Sequence, residues 1–251
     1  MSNCFSSMLG WRGRIGLIIP ATNAVMEADF NRYSPEGVSI YASRVRKDNP
    51  VSSVQTNLDM LAYAETAAHL LVSTEVDINV FGCTAASFLK GAGSDIALGE
   101  RLEKVTGIPT VTAATALRFA LNSLGTHKIS LITPYIDDIT ISEVNFFQEN
   151  GFEVVNYCGM GLDRTAYFGK VSLEGIYRFV KKQVPDDAQA VVISCTTFRG
   201  FETVETLERD LGIPVITSNQ ACLWYALNYL NIKDVANGVG RLFLVNLKKE
   251  E

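Results

Sequence analysis

The sequence is poor in histidine and carries no strong charge of either sign. Its 251 residues include only two histidines, His69 and His127. A metal site built from several histidines is therefore nearly excluded, and Ser–His or Cys–His catalysis would depend on one of these two side chains. A formal net charge of −5 gives no electrostatic reason to expect nucleic-acid binding. We predict no bound metal and no nucleic-acid partner.

Several common motifs are also missing. The five cysteines are odd in number and widely spaced, without a CxxC pair, which argues against a disulfide framework or a zinc ribbon. The sequence contains neither a P-loop nor a GxGxxG motif, so it predicts no nucleotide cofactor. No apolar run approaches 18 residues, and the first residues lack the apolar core of a signal peptide. We expect a cytoplasmic protein that binds no membrane and needs no cofactor.

Apolar runs that alternate with helical patterns indicate an α/β fold. Residues 14–20 and 76–81 have the composition of buried strands, whereas residues 58–74 and 95–106 have the apolar spacing of helices. Strands that alternate with helices of this length are typical of βαβ units with parallel pairing. The sequence therefore predicts parallel sheets covered by helices.

The second half of the chain repeats the order of the first. Residues 128–134, KISLITP, match residues 14–20, RIGLIIP, and residues 188–195, AQAVVISC, match residues 76–83, VDINVFGC. A Gly-Ile-Pro triplet follows in both halves. An ordered series of matches points to a duplicated half-domain. We predict two pseudo-symmetric lobes, each a three-layer sandwich around a parallel sheet, with the active site in the cleft between them.

The repeat also sets the expected boundaries. Residues 12–126 form the predicted N-terminal α/β lobe and residues 127–230 the C-terminal one. Residues 231–246 are expected to cross back to the first lobe. Two lobes of this size suit a chain of 251 residues. The sequence gives no oligomeric state, and a homo-oligomer is only the common default.

Two equivalent cysteines lie at the ends of equivalent strands. Cys83 and Cys195 each follow a buried strand, and each is followed by a threonine, Thr84 or Thr196. Ligands of open parallel sheets bind at the carboxyl ends of the strands. The duplication therefore predicts two cysteines that face one ligand from opposite sides. Each is also expected to precede a helix, whose N-terminus would lower the pKa of the thiol.

Two such thiols support two kinds of chemistry. One thiolate can remove a proton from a carbon acid while the other thiol returns one to the opposite face, which gives racemisation. Alternatively, one thiolate adds to an activated double bond, the new single bond rotates, and elimination gives the other geometric isomer. The candidates for stabilising the negative charge are backbone N–H groups and hydroxyls at Thr84, Ala85, Thr196 and Thr197. A single buried cysteine is more often a small core residue, so the matched pair is what favours catalysis.

Two further polar residues follow strands at related positions. Asn23 comes after the first strand, where its amide would either bind a substrate carboxylate or cap the next helix. Tyr135 comes after the equivalent strand of the second half, where its phenol would either donate to an oxyanion or pack at the rim. The residues alone leave both alternatives open.

Taken together, these segments resemble the aspartate/glutamate racemase superfamily. More narrowly, they are similar to its branch of maleate cis–trans isomerases and arylmalonate decarboxylases. The resemblance covers most of residues 14–230 and includes IIPATNAVME, FGCTAAS, ISLITPY and ISCTT. It implies that Cys83 is the nucleophile of maleate isomerases or one of two acid–bases of racemases, and that Cys195 is its second-half partner. It also implies substrate-binding positions, which are Asn23, Thr84, Ala85, Tyr135 and Thr196.

The resemblance favours isomerisation over decarboxylation. Arylmalonate decarboxylases have glycine where Cys83 stands, whereas this chain keeps both cysteines. Two departures concern the substrate. The first loop reads PATNAVME where maleate isomerases tend to have PSSNTTME, and the loop after Cys158 has no counterpart of the family's second carboxylate-binding asparagine.

The sequence therefore predicts a cofactor-independent isomerase of a small carboxylic acid, with maleate-to-fumarate isomerisation as the leading interpretation. The alternatives are a two-base amino-acid or hydantoin racemase that uses the same cysteines, an arylmalonate-type decarboxylase, and a non-catalytic carboxylate-binding protein.

Overall fold

Two parallel sheets organise the fold. The computed structural model describes residues 9–234 and 236–248, and Cys4 lies outside them. The first sheet has the strand order β2-β1-β3-β4 and contains β1 (Gly13–Pro20), β2 (Val38–Val45), β3 (Ile78–Phe81) and β4 (Thr110–Thr112). The second has the order β6-β5-β7-β8 and contains β5 (Lys128–Thr133), β6 (Glu153–Gly159), β7 (Ala190–Ile193) and β8 (Val215–Thr217). The predicted α/β class with parallel strands is confirmed, and both sheets have the same strand order.

Helices follow the strands in both halves. The α-helices of the described residues are α1 (Met26–Tyr33), α2 (Val54–Asp59), α3 (Ala64–His69), α4 (Thr84–Phe88), α5 (Ser94–Thr106), α6 (Ala113–Leu124), α7 (Asp137–Glu149), α8 (Thr165–Phe168), α9 (Leu173–Gln183), α10 (Val204–Leu211) and α11 (Ser218–Tyr229). Short 3-10 helices span Met60–Tyr63, Val72–Thr74, Phe201–Thr203 and Arg241–Leu244.

The single helix predicted over residues 58–74 is wrong. A 3-10 turn over Met60–Tyr63 separates α2 from α3. The apolar spacing that motivated the prediction persists, because Met60, Ala64 and Ala67 are all buried. Burial of these side chains therefore does not require one continuous axis.

Equivalent threonines start the two helices that join the halves. Thr112 ends β4 and accepts a hydrogen bond from the Thr115 N–H (3.2 Å), and Thr217 ends β8 and accepts one from the Gln220 N–H (3.2 Å). Such side-chain caps satisfy N–H groups that have no partner within the helix. The two helices, α6 and α11, pack against each other, and each also contacts a sheet of the other half. This packing holds the two sheets side by side.

The segment after α11 contacts both halves. Asp234 pairs with Arg12 (2.7 Å to Nη2), and the Lys248 N–H donates to Ser123 Oγ (3.1 Å). The Trp224 indole donates to the Val245 carbonyl (3.0 Å). These contacts join the segment to residues of both halves, while the lobe boundaries and the crossing-back of residues 231–246 stay predictions. Within the described ranges, no helix has the length and apolar character needed to cross a membrane.

Candidate active site

A closed cavity lies where the two halves meet. Its volume is about 20 Å³, enough for one or two water-sized molecules. Both matched cysteines line it, together with polar residues from each half. The lining residues are Pro20, Thr22, Lys47, Ser52, Asn57, Cys83, Thr84, Ala85, Tyr135, Thr165, Phe168, Cys195, Thr196 and Thr197.

Cys83 occupies the N-cap position of the short helix α4. Its side chain is buried, with 8% of the residue exposed. Burial raises the pKa of the thiol, whereas the Lys47 ammonium and the Ala86 N–H lower it. Because α4 begins at Thr84, the N–H groups of Thr84 and Ala85 lack acceptors within the helix. Hydrogen-bond donors therefore stand beside this sulfur.

Cys195 lies in a different local structure. It follows β7 and leads into turns, since the next helical residues are Phe201–Thr203. The helix expected directly after Cys195 is therefore wrong. Burial raises the pKa of its thiol to about 12, opposed by the Tyr135 hydroxyl and the Thr197 N–H. Lowered thiol pKa values were predicted for both cysteines, and burial reverses that prediction in the closed cavity.

The backbone of Cys195 is strained. Its φ is +107°, in a region that residues with a side chain rarely adopt. The conformation is fixed partly by the Cys195 N–H, which donates to Ser218 Oγ (3.0 Å). Strain of this kind often accompanies functional positions, because surrounding contacts must hold it in place.

We expect the Cys195→Gly variant to be about 1 kcal/mol more stable than Cys195→Ala, because glycine relieves the strain at positive φ and outweighs the lost methyl group. Urea unfolding of both variants measures the difference. The matched control is Cys83, where φ is −140° and the glycine variant should be the less stable one. The same order of stability at both positions would contradict the strain.

Ser218 connects the two cysteine loops and was not predicted from the sequence. Its Oγ accepts hydrogen bonds from Thr84 Oγ1 (3.0 Å) and from the Cys195 N–H. Thr84 belongs to the first half and Cys195 to the second, so one hydroxyl fixes both loops. Ser218 could have been found as the neighbour of Thr217, the N-cap that the repeat aligns with Thr112.

The Thr196 hydroxyl also joins the halves. It donates to the Gly82 carbonyl (2.8 Å) and accepts from Asn23 Nδ2 (3.0 Å). Thr197 lies next in the cavity wall, and its N–H contacts the Cys195 sulfur. Thr196 thus acts through its hydroxyl as an interlobe contact in the closed state, and its predicted contact with a carboxylate stays a prediction.

Asn23 caps the first helix. Its Oδ1 accepts from the N–H groups of Val25 and Met26 (both 3.0 Å), and the residue is 1% exposed. The side chain lies behind Thr196 and is not among the residues that line the cavity. Thr22 does line it, and its buried Oγ1 has no partner among the described residues. The first loop therefore offers Thr22 directly, and substrate binding by Asn23 stays a prediction.

Tyr135 lies against the second cysteine. The residue is 3% exposed, and its hydroxyl hydrogen-bonds the Cys195 thiol. The ring packs edge-on against Phe168, with centroids 5.7 Å apart. Burial raises the pKa of the phenol, so it stays protonated and can donate a hydrogen bond.

Three polar residues of the cavity come from a segment to which the sequence analysis gave no role. Lys47 follows the edge strand β2, and Ser52 and Asn57 lie beyond it. Lys47 Nζ donates to Asn57 Oδ1 (2.8 Å). No motif marks them, because Lys47 is one of several cations in RVRKDNP and only the fold brings it to the cysteines.

Two loops from different halves close the cavity. The Ser52 N–H donates to the Asp163 carbonyl (2.6 Å), and the Thr165 N–H donates to the Pro50 carbonyl (3.3 Å). Val51 and Arg164 form an isolated antiparallel bridge between these hydrogen bonds. We call the segments around Val51 and Arg164 the lid, because their contacts join the two halves beside the cavity.

A buried carboxyl group lies behind Cys195. Glu143 on α7 is fully buried, and its Oε1 accepts from Ser194 Oγ (2.6 Å). Its Oε2 has no partner among the described residues. Burial raises the pKa of Glu143 to about 8, while the Ser194 hydrogen bond opposes the rise. The carboxyl is therefore mostly neutral at pH 7.

Glu143 should make the protein less stable as the pH rises. The folded state binds this proton more tightly than the unfolded state. The contribution of Glu143 to the free energy of unfolding is therefore fully present below pH 4.5 and falls by about 1.4 kcal/mol per pH unit until about pH 8. Asp29, with a pKa raised to about 7 by burial, adds a slope of the same sign. Urea unfolding between pH 5 and pH 8 measures how the free energy of unfolding changes with pH. In the Glu143→Gln variant this slope should be smaller by the contribution of one proton. Glu174→Gln, at an exposed position, is the control, and equal slopes in both variants would contradict the assignment.

A second cavity adjoins the first. It measures about 440 Å³ and shares Thr22, Thr165 and Thr197 with the cysteine cavity. Asp29 borders it and accepts a hydrogen bond from Asn219 Nδ2 (2.7 Å). Opening between the two cavities would therefore make room for a larger ligand. Among the described residues, no group of three or more metal-ligating side chains is arranged to hold an ion.

Comparison with known proteins decides the family. A family model described as arylmalonate decarboxylase matches residues 15–243. The chain belongs to this family. Two curated relatives are each 25% identical to the chain. Maleate isomerase from Pseudomonas putida aligns over 242 residues, which cover 91% of this chain and 96% of that protein. Arylmalonate decarboxylase from Bordetella bronchiseptica aligns over 232 residues, which cover 91% of this chain and 95% of that protein.

A solved structure shows the same fold. It is a cysteine-to-serine variant of Nocardia farcinica maleate cis–trans isomerase with a covalently bound succinylcysteine intermediate. It aligns with a TM-score of 0.86 at 22% identity and covers 92% of this chain and 98% of that one. Since the relatives similar to this chain include both an isomerase and a decarboxylase, the reaction must be argued from the site.

Proposed function

We propose that this protein is a cofactor-independent cis–trans isomerase of a small unsaturated carboxylic acid, of the maleate-to-fumarate type. Cys83 acts as the nucleophile and Cys195 as the proton donor. The observation that carries the proposal is that both thiols line one closed cavity in unlike surroundings. Groups whose surroundings separate their pKa values divide acid and base roles between them.

The surroundings assign the roles. Lys47 and the Ala86 N–H favour a thiolate at Cys83. Cys195 lies near Glu143, and ionisation of Cys83 raises its pKa further, so the Cys195 thiol keeps its proton when Cys83 is charged. Once Cys83 is ionised, the pair holds one negative charge and one transferable proton.

The proposed reaction begins with attack of the Cys83 thiolate on one alkene carbon. The S–C bond forms as the π electron pair moves to the neighbouring carbon and into its carboxylate. The Cys195 thiol gives its proton to that carbon, which leaves a saturated thioether whose central C–C bond rotates. The Cys195 thiolate then removes the proton, the S–C bond breaks, and the trans alkene leaves with Cys83 again a thiolate. No cofactor is consumed.

Charge that develops on the carboxylate needs donors already in place. The N–H groups of Thr84 and Ala85 stand at the start of α4, beside Cys83. The Thr22 and Thr197 hydroxyls line the same cavity. Preorganised donors in a site without bulk water stabilise such an anion effectively. The lid formed around Val51 and Arg164 supplies that exclusion of water.

The relatives support the covalent step. The Nocardia farcinica maleate isomerase structure contains a succinylcysteine, which is the kind of saturated thioether proposed here. The resemblance also places a glycine at the position of Cys83 in arylmalonate decarboxylases. Retention of Cys83 therefore supports isomerisation over decarboxylation.

One observation favours a second candidate, two-base racemisation of an amino acid or hydantoin. The adjoining cavity of about 440 Å³ has space for a side chain that a four-carbon acid lacks. In this reaction one cysteine removes the α-proton and the other returns a proton to the opposite face.

Proton NMR in D₂O separates the two. The panel contains maleate, citraconate, aspartate, glutamate, a substituted hydantoin and an arylmalonate. Appearance of a trans alkene supports the isomerase, whereas deuterium at Cα with loss of optical purity supports the racemase. Loss of a carboxylate would overturn both and assign decarboxylation. A panel that stays unchanged would count against catalysis on small carboxylic acids and favour a binding protein.

A further inference from the structure

Lys47 is a cation of the cysteine cavity that pairs with no carboxylate among the described residues. Its side chain is partly buried, and its only hydrogen bond among the described residues goes to the neutral Asn57 amide. No described carboxylate lies within ion-pair distance of it. Burial lowers the pKa of Lys47, and the groups that raise it are the two thiols Cys83 and Cys195. Since a charge removed from water is costly unless paired, Lys47 has no negative partner in the cavity as long as both thiols keep their protons.

The ammonium is held in place from behind. Asn57 is 3% exposed, and its Nδ2 donates to the Ser53 carbonyl (2.9 Å). Ser53 and Thr56 form a capping box that fixes the start of α2. An ammonium has three donors, and Asn57 uses one of them. The other two remain for a ligand, at an orientation set by rigid neighbours.

The other described lining residues include no second cation that would compete with Lys47 for an anion. Of the described residues that line the cavity, only Lys47 is a cation. The loop after β6 contributes Thr165 and Phe168, neither of which carries a charge or an amide. A second carboxylate of a substrate therefore finds its charge partner in the first half, after β2.

We propose that Lys47 binds a second carboxylate of the substrate and thereby makes this site selective for short dicarboxylates over monocarboxylates. The first carboxylate would be the one received by the Thr84 and Ala85 N–H groups. Lys47 lines the same cavity as both cysteines, so a carboxylate on a substrate held between the two sulfur atoms would lie near its ammonium. This inference rests on the proposed function for the substrate's placement, but the binding that it predicts requires no turnover.

The test is calorimetric titration of the Cys83→Ser protein with succinate and with succinamate, in which a neutral amide replaces one carboxylate. We expect succinate to bind about 10- to 100-fold more tightly, as for a hydrogen bond to a charged group. Adding Lys47→Met should abolish this preference, and Lys47→Arg should restore part of it. The control is Lys170→Met, which removes an exposed cation of the adjoining cavity and should leave the preference unchanged.

Two results would overturn the inference: equal affinity for succinate and succinamate with Lys47 present, or a preference that survives Lys47→Met in a variant whose unfolding shows an intact fold. These results are independent of the NMR panel. A Lys47-dependent preference in a protein that isomerises nothing would uphold dicarboxylate binding and refute the isomerase. Isomerisation without a preference for succinate would uphold the isomerase and refute dicarboxylate binding by Lys47.

Discussion

Cys83→Ser should lower turnover of the substrate by at least about 10⁴-fold, as loss of a nucleophile does in other covalent enzymes. A serine hydroxyl is far less acidic than a thiol, and the donors around Cys83 are suited to a sulfur anion rather than to activation of a hydroxyl. Lys47 and the N–H groups of α4 would remain, so binding should change little. Initial rates together with binding affinity measure the two effects separately.

The matched control is Cys158→Ser. Cys158 lies on β6, is partly exposed and does not line the cavity. Its variant should keep the wild-type rate. If Cys83→Ser retained a rate within about tenfold of the wild type, nucleophilic catalysis by Cys83 would be refuted.

Tyr135→Phe should lower kcat by about 10²-fold with a smaller change in KM, because the loss of a hydrogen bond to the proton donor acts mainly in the chemical step. The Tyr135 hydroxyl bonds the Cys195 thiol and favours its charged form, which the elimination step needs. The phenylalanine ring keeps the edge-on packing on Phe168, so the fold should persist.

Tyr157→Phe is the control for this prediction. Tyr157 lies on β6 with 49% of the residue exposed, away from the cavity. Its variant should match the wild type in both constants. An unchanged kcat in Tyr135→Phe would show that the tyrosine only packs at the rim.

Much of the architecture could be predicted from the sequence because the duplication leaves local signals in both halves. Apolar runs of strand length recur before Cys83 and Cys195, and helices α6 and α11 start at corresponding threonines, Thr112 and Thr217. The break after Asp59 could not be predicted, because the apolar periodicity continues through it. The spacing of apolar residues predicts which side chains are buried, but it does not predict whether they belong to one continuous helix.

The site was only partly predictable. The cysteines, Tyr135 and the threonines that follow the cysteines lie at the ends of strands. The alternation of strands and helices in the sequence predicts that a ligand binds there. Lys47 follows the edge strand β2 and Asn57 lies in α2, and only the packing of these elements brings both side chains to the cavity that the thiols line. Contacts of this kind depend on packing between halves, which has no periodic signal in the sequence.

The thiol environments show the same limit. The start of α4 supplies hydrogen-bond donors at Cys83, as the sequence predicts, but burial outweighs them and raises the pKa of both thiols. Asn23 illustrates a choice between two sequence interpretations: its Oδ1 caps α1, while the neighbouring Thr22 hydroxyl lines the cavity.

The most direct test of the central claim is mass spectrometry of the intact Cys195→Ser protein after incubation with the alkene that the wild type isomerises. In this variant the carbanion that forms on attack can still take a proton from the serine hydroxyl or from water, whereas neither group is basic enough at neutral pH to remove that proton again, so the thioether should accumulate. The account predicts one adduct per chain, with the mass of one substrate molecule, on Cys83 after proteolytic mapping. An adduct on another residue, or no adduct in a variant that has lost turnover and still binds succinate, would contradict it.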